Sequence, residues 1–309
     1  MLKRLSNYVG ILIGVLGVAF VVRQLVRERG AVAAALGGVT PEKLFLALVV
    51  GVASMTMIGV GWRRCLSLLD AHLAPLDALR RYFVGQLGKY VPGGIWPVVG
   101  RAEMARRGGV TGTAAYGSTL LSLGLTYLGA ALVAAAGLIA GAGELDRRWL
   151  PALGVLPIGI VVLHPRVLGF LLRLLRRITR RDLEVPVPAW RSSVLLLLLH
   201  VPAWLGIAFA TWLVAETIDP GSADFANIAF ATSLAWFVGF VAIGVPGGIG
   251  VREAVFVGAA TSLAGAGVAA AVAVTARVVF ILVDLGGAAA TSLWSISRLR
   301  SRPSAPPRG

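Results

Sequence analysis

The chain carries little charge, one cysteine and three histidines for its length. Of 309 residues, 14% are charged and 57% are hydrophobic, and the mean hydropathy is +0.84. A soluble domain usually has about 25% charged residues, so this composition excludes a free soluble enzyme. A lone Cys65 excludes an internal disulfide, and the scattered histidines show no metal spacing. We predict an integral membrane protein with no metal site and no cofactor.

The charges that are present are mostly basic, with a formal net charge of +15, and lie between apolar runs. This placement favours anionic lipid headgroups as the counter-charge, and we expect no nucleic-acid partner. Cytoplasmic loops of membrane proteins are rich in Lys and Arg. We therefore predict a multi-pass protein of the inner or plasma membrane with both termini cytoplasmic. This orientation leaves Lys43, Glu216, Asp219 and Asp224 outside.

Hydropathy predicts an all-α fold with about eight transmembrane helices, since about 20 apolar residues cross the hydrocarbon core. The apolar segments lie at 8–22, 44–62, 79–100, 110–143, 149–163, 192–215, 225–251, 254–276 and 278–296. We expect segment 110–143 to be divided into two helices near Gly117 or Gly124. One helix of that length would be about 50 Å long, longer than the hydrocarbon core of about 30 Å. The last two segments are predicted to be separate crossings on either side of Arg277.

We assign residues 1–297 to a single polytopic membrane domain and 298–309 to a short basic cytoplasmic tail. Two repeat halves are expected, at about 1–143 and 149–297. Residues 165–181 are predicted to form an amphipathic interfacial helix, because basic and apolar residues fall on opposite sides of its helical wheel. The residues predicted to contact anionic lipid there are Arg173, Arg176, Arg177 and Arg180. The alternative is an ordinary basic loop with a helical stretch.

A short motif, VPGGI, occurs at 91–95 and again at 245–249, and each copy is followed by an arginine and a glutamate. Proline and paired glycines should break a helix, and broken segments at matching positions in two halves point to a transporter site. A helix that restarts beside an arginine suits an anion such as phosphate. The predicted headgroup-binding residues are Lys89, Gly93, Gly94, Arg101, Gly247, Gly248, Arg252 and Glu253. The alternative is a surface turn, with Arg101 and Arg252 paired to their neighbouring glutamates.

Two further charged residues, Arg277 and Asp284, lie seven positions apart in apolar sequence. On a helix they share one face and are about 10 Å apart along the axis. A charge inside the bilayer usually faces the bundle interior and has a partner. We predict that they line a polar path with Arg252 and Glu253, and that Glu253, Arg277 and Asp284 are candidates for ion or proton coupling. The alternative is a structural ion pair. Trp236 and most other aromatic residues are interpreted as interface or packing residues.

The stretch GQLGKYVPGGIW at 85–96, with Arg101 after it, resembles the first signature of the lysylphosphatidylglycerol synthase transmembrane-region family. The stretch VPGGIGVRE at 245–253 resembles the second. This family includes the flippase half of the multiple peptide resistance factor and stand-alone relatives linked to polyprenyl-phosphate lipids. The resemblance implies two broken or re-entrant helices around a lipid-headgroup cavity. The chain ends in a short basic tail with no room for a soluble aminoacyl-transferase, so we expect no synthesis of lysylphosphatidylglycerol.

These observations favour a membrane lipid translocator, either a flippase or a scramblase, for an anionic or aminoacylated phospholipid or a polyprenyl-phosphate-linked lipid. The sequence contains no nucleotide-binding motif, so active transport would need an ion gradient or a membrane potential. One alternative is a non-catalytic scaffold whose partner is an enzyme of envelope lipid or glycan synthesis. A lesser alternative is a lipid-modifying transferase, although the apolar segments contain no set of residues typical of a catalytic site.

Overall fold

The computed structural model describes residues 41–91, 95–141, 189–241 and 250–300, with isolated positions at 154, 161, 164, 166, 167, 169, 170 and 248. In this part of the chain the fold is all-helical, as predicted, and contains no strand. The predicted span at 8–22 and residues Gly93, Gly94 and Gly247 lie outside the described residues. So do the four arginines of the predicted amphipathic helix and nearly all of the span at 149–163.

Eight α-helices and one 3-10 helix make up the described residues. They are α1 (Pro41–Ser67), α2 (Pro75–Gln86), the 3-10 helix (Leu87–Tyr90), α3 (Trp96–Arg107), α4 (Gly112–Ala140), α5 (Trp190–Ile218), α6 (Phe225–Val241), α7 (Val251–Ala259) and α8 (Ala266–Arg300). Helices α1, α4, α5 and α8 are long and apolar enough to cross a membrane. They surround a core in which the side chains of Trp62 and Trp204 are fully buried.

Helix α4 corrects the expectation of a break near Gly117 or Gly124. It runs unbroken for 29 residues, and the Thr111 side chain accepts a hydrogen bond from the Ala114 amide at its start. An unbroken helix satisfies its own backbone in lipid, and this outweighs the weak helix propensity of glycine. Gly137 is also needed for packing, because a Cβ there would lie 2.8 Å from the Phe230 amide nitrogen.

Helix α8 corrects the prediction of two crossings separated by Arg277. One 35-residue helix carries both Arg277 and Asp284, and the preceding helix α7 has only 9 residues. Arg277 is buried with 8% of its surface exposed. Hydropathy alone treats this charge as a boundary between spans, but a charge with a partner inside the bundle is compatible with the middle of a membrane helix.

Helices α2 and α3, with the 3-10 helix, form a first hairpin whose two arms lie side by side. The Arg81 Nε donates to the Met104 carbonyl at 3.0 Å. Near the tip, a Cβ at Gly88 would lie 2.8 Å from the backbone of Trp96. Glycine is required there because the two arms approach so closely. The predicted segment 79–100 is thus a pair of short helices on either side of the first VPGGI motif.

Helices α6 and α7 form a second hairpin on either side of the second VPGGI motif. At its base the Asn227 side chain donates to the Ala259 carbonyl at 3.0 Å, so the start of α6 lies beside the end of α7. At its tip Gly248 has a φ of +67°, and a Cβ there would lie 2.9 Å from the Gly239 Cα. The described part of α6 ends at Val241, and the predicted end of this span at 246–248 lies outside the described residues except for Gly248.

The two hairpins open toward opposite ends of the helix bundle. The base of the first lies beside the end of α1, where Arg63 Nε donates to the Leu73 carbonyl at 3.0 Å. The base of the second lies beside the end of α5, where the Ala264 amide donates to Asp219 at 3.3 Å. Lys43 at the start of α1 reaches Glu216 at the same end as Asp219. We call the end of the bundle at Arg63 and Leu73 the basic end, and the end at Glu216 and Asp219 the acidic end.

Candidate functional site

The tip of the first hairpin reaches α8 through a buried ion pair. Lys89 Nζ lies 2.6 Å from the Asp284 Oδ2, and the Tyr90 hydroxyl donates to the same oxygen at 2.6 Å. The Asp284 side chain is completely buried, and its Oδ1 has no hydrogen-bond partner in the described residues. The local sequence explains this arrangement, because the 3-10 helix ends at Tyr90 and directs two consecutive polar side chains toward α8.

The tip of the second hairpin reaches α8 through another ion pair. The Arg277 Nη1 lies 2.5 Å from the Glu253 Oε1. The other oxygen of Glu253 accepts a hydrogen bond from the Gly250 amide at 2.6 Å, which caps the start of α7. One carboxylate therefore satisfies a helix terminus and a buried guanidinium together. The Gly250 amide therefore already has an internal acceptor at this end of α7.

An aromatic pair separates the two ion pairs. Phe280 lies between Arg277 and Asp284 along α8, and the Trp236 ring packs edge-on against it with centroids 5.3 Å apart. Lys89 Nζ lies 5.3 Å from the centre of the Trp236 ring, and the Arg252 Cζ lies 3.9 Å from it. Trp236 is therefore in contact with a cation from each hairpin, an arrangement in which the ring attracts both charges.

Arg252 has no carboxylate within salt-bridge distance in the described residues, although Glu253 follows it in sequence. Its aliphatic stem is held by close packing, since a Cβ at Gly239 would overlap the Cγ of Arg252 and lie 2.8 Å from its Cδ. Glycine at 239 thus lets the side chain of Arg252 lie across α6 and place its guanidinium on Trp236.

Arg101 occupies a corresponding position in the first hairpin. A Cβ at Gly85 on the opposite arm would lie 3.1 Å from the Arg101 Cβ. The Arg101 guanidinium lies 4.5 Å from the centre of the Tyr82 ring and 5.5 Å from that of Trp62. Only 4% of Arg101 is exposed, and its Nε has no hydrogen-bond partner in the described residues. Its Nη2 donates to Gln86 at 3.5 Å, at the limit of a hydrogen bond.

A small cavity lies next to Arg252. Its volume of about 30 Å³ accommodates one or two water molecules. Thr232, Arg252, Glu253 and Arg277 contribute polar groups to its wall, beside Trp236 and Phe280. The Thr232 hydroxyl is buried and has no hydrogen-bond partner in the described residues. This volume is too small for a lipid headgroup.

The structure brings together five predicted site residues, Lys89, Arg252, Glu253, Arg277 and Asp284, around Trp236 and Phe280. Arg277 and Asp284 lie on one face of α8, but each pairs with a hairpin residue and not with the other. Glu103 pairs with Arg106 at 2.9 Å, and no pair joins it to Arg101. The local pairing of Arg101 with Glu103 and of Arg252 with Glu253, expected in the surface-turn alternative, is therefore not found in the described residues, and most of the turn residues lie outside them.

Sequence reasoning missed Trp236, Thr232 and Tyr82 as site residues, because aromatic and hydroxyl side chains are common in membrane helices. A signal was present in α6. Thr232, Trp236 and Gly239 follow at spacings of four and three, which places a polar, an aromatic and a small residue on one helical face. In a helix that is otherwise strongly apolar, such a face indicates contact with a polar neighbour.

The fold and the site define a helical membrane protein in which two hairpins from opposite ends meet at buried charges. The family model for the lysylphosphatidylglycerol synthase TM region matches residues 7–286. The chain belongs to this family, as its motifs indicated. The matched region is the membrane part of the synthase and not its soluble transferase, and it indicates a role connected with membrane lipid. No curated protein matches the chain at the stringency of the comparison.

Proposed function

We propose that this protein moves the polar headgroup of a membrane lipid between the leaflets, through the site between the two hairpins and α8. The observation that carries this proposal is that hairpins open toward opposite ends of the bundle and meet at a cluster of buried charges. Charges at this depth are costly and characteristically mark a substrate path. The positive-inside rule assigns the basic end to the cytoplasm, so the first hairpin opens to the inner leaflet and the second to the outer.

Each hairpin has its own ion pair with α8. One hairpin can therefore move away from α8 while the ion pair of the other hairpin stays intact. Movement of the first hairpin separates Lys89 from Asp284, whereas movement of the second separates Glu253 from Arg277. Removing one partner of a buried ion pair costs about 3–5 kcal/mol, because the other charge is left uncompensated. An anionic headgroup replaces the carboxylate as counter-ion for Lys89 or Arg277 and so lowers this cost. The headgroup thereby favours the opening through which it enters.

Arg101 and Arg252 supply the contacts that hold the headgroup along this path. Neither has a carboxylate partner in the described residues, and a guanidinium binds phosphate oxygens through two parallel hydrogen bonds. Arg101 lies on α3, which runs from the hairpin tip toward the basic end, while Arg252 lies at the start of α7. The lipid tails remain in the bilayer while the headgroup passes from one arginine to the other.

The test is a leaflet-exchange assay in proteoliposomes with fluorescent phospholipids and polyprenyl phosphate, with and without a proton gradient. Wild type is compared with Arg252→Gln, and Arg106→Gln is the matched control because Arg106 is exposed on the same chain. We expect exchange of at least one lipid in wild type and in the control, and strong loss in Arg252→Gln. No exchange by folded wild type under either condition would contradict translocation and favour a scaffold that binds an envelope-synthesis enzyme.

A further inference from the structure

Among the described residues, the charges of the candidate site and of Arg101 do not balance. Four cations, Lys89, Arg101, Arg252 and Arg277, face two carboxylates, Glu253 and Asp284. Arg101, Arg277 and Asp284 are buried and the other three are partly buried. Each carboxylate has a cation as its partner, so an excess of two positive charges falls on Arg101 and Arg252. An uncompensated charge inside a membrane protein is unfavourable, so this excess favours binding of a negatively charged ligand.

The surroundings of Arg252 form a prepared anion site. The guanidinium is stacked on Trp236 and the neighbouring Arg277 lines the same cavity. The Thr232 hydroxyl lines this cavity too, is 2% exposed and lacks a hydrogen-bond partner in the part of the chain that the structure describes. A hydroxyl donor and two guanidinium groups around one space suit the several acceptor oxygens of a phosphate.

Arg101 provides a second contact of the same kind, closer to the basic end. It too is stacked on an aromatic ring, and its Nε is a buried donor without an acceptor in the described residues. Leaving a buried donor unsatisfied is costly, so Arg101 gains from an acceptor that arrives with the ligand. Each hairpin therefore presents one arginine that is oriented by glycine and aromatic neighbours and has no carboxylate partner among the described residues.

We propose, resting on the function above, that the ligand is a lipid with a phosphomonoester headgroup. A phosphomonoester carries between about −1.5 and −2 charges at pH 7, so at each arginine it compensates the positive charge more fully than a phosphodiester does. A phosphodiester such as phosphatidylglycerol carries one negative charge. A lysyl ester of phosphatidylglycerol adds cationic amines, which are repelled by Arg252 and the other cations of the site.

The test is equilibrium binding of purified full-length protein at pH 7.5, measured by native mass spectrometry. Phosphatidic acid, phosphatidylglycerol and lysylphosphatidylglycerol with identical acyl chains differ only in the headgroup, and geranylgeranyl phosphate carries the phosphomonoester on a prenyl chain. We expect phosphatidic acid or geranylgeranyl phosphate to bind about tenfold or more tightly than phosphatidylglycerol, and lysylphosphatidylglycerol to bind weakest. Tight binding of only one phosphomonoester supports the proposal and identifies the lipid backbone.

The variants separate a charge-specific site from general lipid binding. Arg252→Gln and Arg101→Gln should each weaken phosphatidic acid binding about tenfold, while Arg106→Gln leaves it unchanged. Arg252→Lys keeps the charge and should lose less, so the test does not depend on Arg252→Gln folding. Equal or tighter binding of phosphatidylglycerol or lysylphosphatidylglycerol would overturn the ligand assignment. That result would not affect the proposal of translocation. Conversely, tight binding of a phosphomonoester without leaflet exchange would contradict translocation and support the ligand assignment.

Discussion

Substitution of Gly239 by alanine should displace Arg252 from its position on Trp236. The added Cβ would overlap the Cγ of Arg252 and lie 2.8 Å from its Cδ, whereas carbon atoms in contact are about 3.5–4.0 Å apart. The clash involves the part of the side chain close to the backbone, so it is not relieved by bending the far end. The whole side chain must change rotamer, and its guanidinium then leaves the Trp236 ring, now 3.9 Å away.

Two energies decide the size of this effect. Overpacking a close contact costs about 1–3 kcal/mol, and the loss of a desolvated cation–π contact costs about 1–2 kcal/mol. We therefore expect a decrease of about 2–5 kcal/mol in the free energy of unfolding in detergent. Binding of phosphatidic acid should also weaken, because the guanidinium no longer faces the cavity beside Thr232 and Arg277.

The control for this substitution is Gly124→Ala in α4, where a Cβ meets no atom within 4 Å. Alanine favours a helix by about 0.5–1 kcal/mol over glycine, so this variant should be as stable as wild type or slightly more so. Thermal unfolding and lipid binding are measured on both variants. Wild-type stability and binding in Gly239→Ala would refute the reasoning that glycine at 239 fixes the position of Arg252.

The remaining predictions concern the contacts of α8. A Cβ at Gly287 would overlap the Phe83 ring, whereas one at the adjacent Gly286 meets nothing within 4 Å. Gly287→Ala should therefore destabilise the protein by about 1–3 kcal/mol in detergent unfolding, and equal stability of the Gly286 and Gly287 variants would contradict the packing of the first hairpin on α8. Lys89→Met or Asp284→Leu should each cost about 3–5 kcal/mol, because each leaves a buried charge. In the same assay, the double variant should lose clearly less unfolding free energy than the sum of the two single variants. A loss equal to that sum would argue against a direct ion pair.

The sequence predicted the helical membrane fold and a polar path in which Arg277 and Asp284 lie near Arg252 and Glu253. Hydropathy and the rule that membrane charges face the bundle interior are sufficient for that much. The division of α8 was mispredicted because hydropathy treats a charge as a boundary, whether or not a partner is buried beside it. The number of helices at the end of the chain therefore depends on the contact between Arg277 and Glu253, which hydropathy does not reveal.

The pairing of the charges was also beyond the sequence. Glu253 and Arg277 are 24 positions apart, and Lys89 and Asp284 are 195 apart, so their contacts depend on how the hairpins approach α8. Local spacing favoured pairs such as Arg277 with Asp284, which share a helical face. The stacking of Arg101 on Tyr82 and of Arg252 on Trp236 follows from the close approach of hairpin arms at Gly85 and Gly239, a property of the folded chain.

The aromatic pair of Trp236 and Phe280 has a consequence for the permeability of the membrane. A protein that carries polar groups through a bilayer risks opening a continuous column of water to protons and small ions. Here the two charged layers are separated by apolar rings, and the cavity on one side holds about one or two waters. In the part of the chain that the structure describes, the two rings therefore interrupt the polar path between the ion pairs. Trp236→Ala should make proteoliposomes dissipate an imposed proton gradient faster than wild type, even where no lipid is moved.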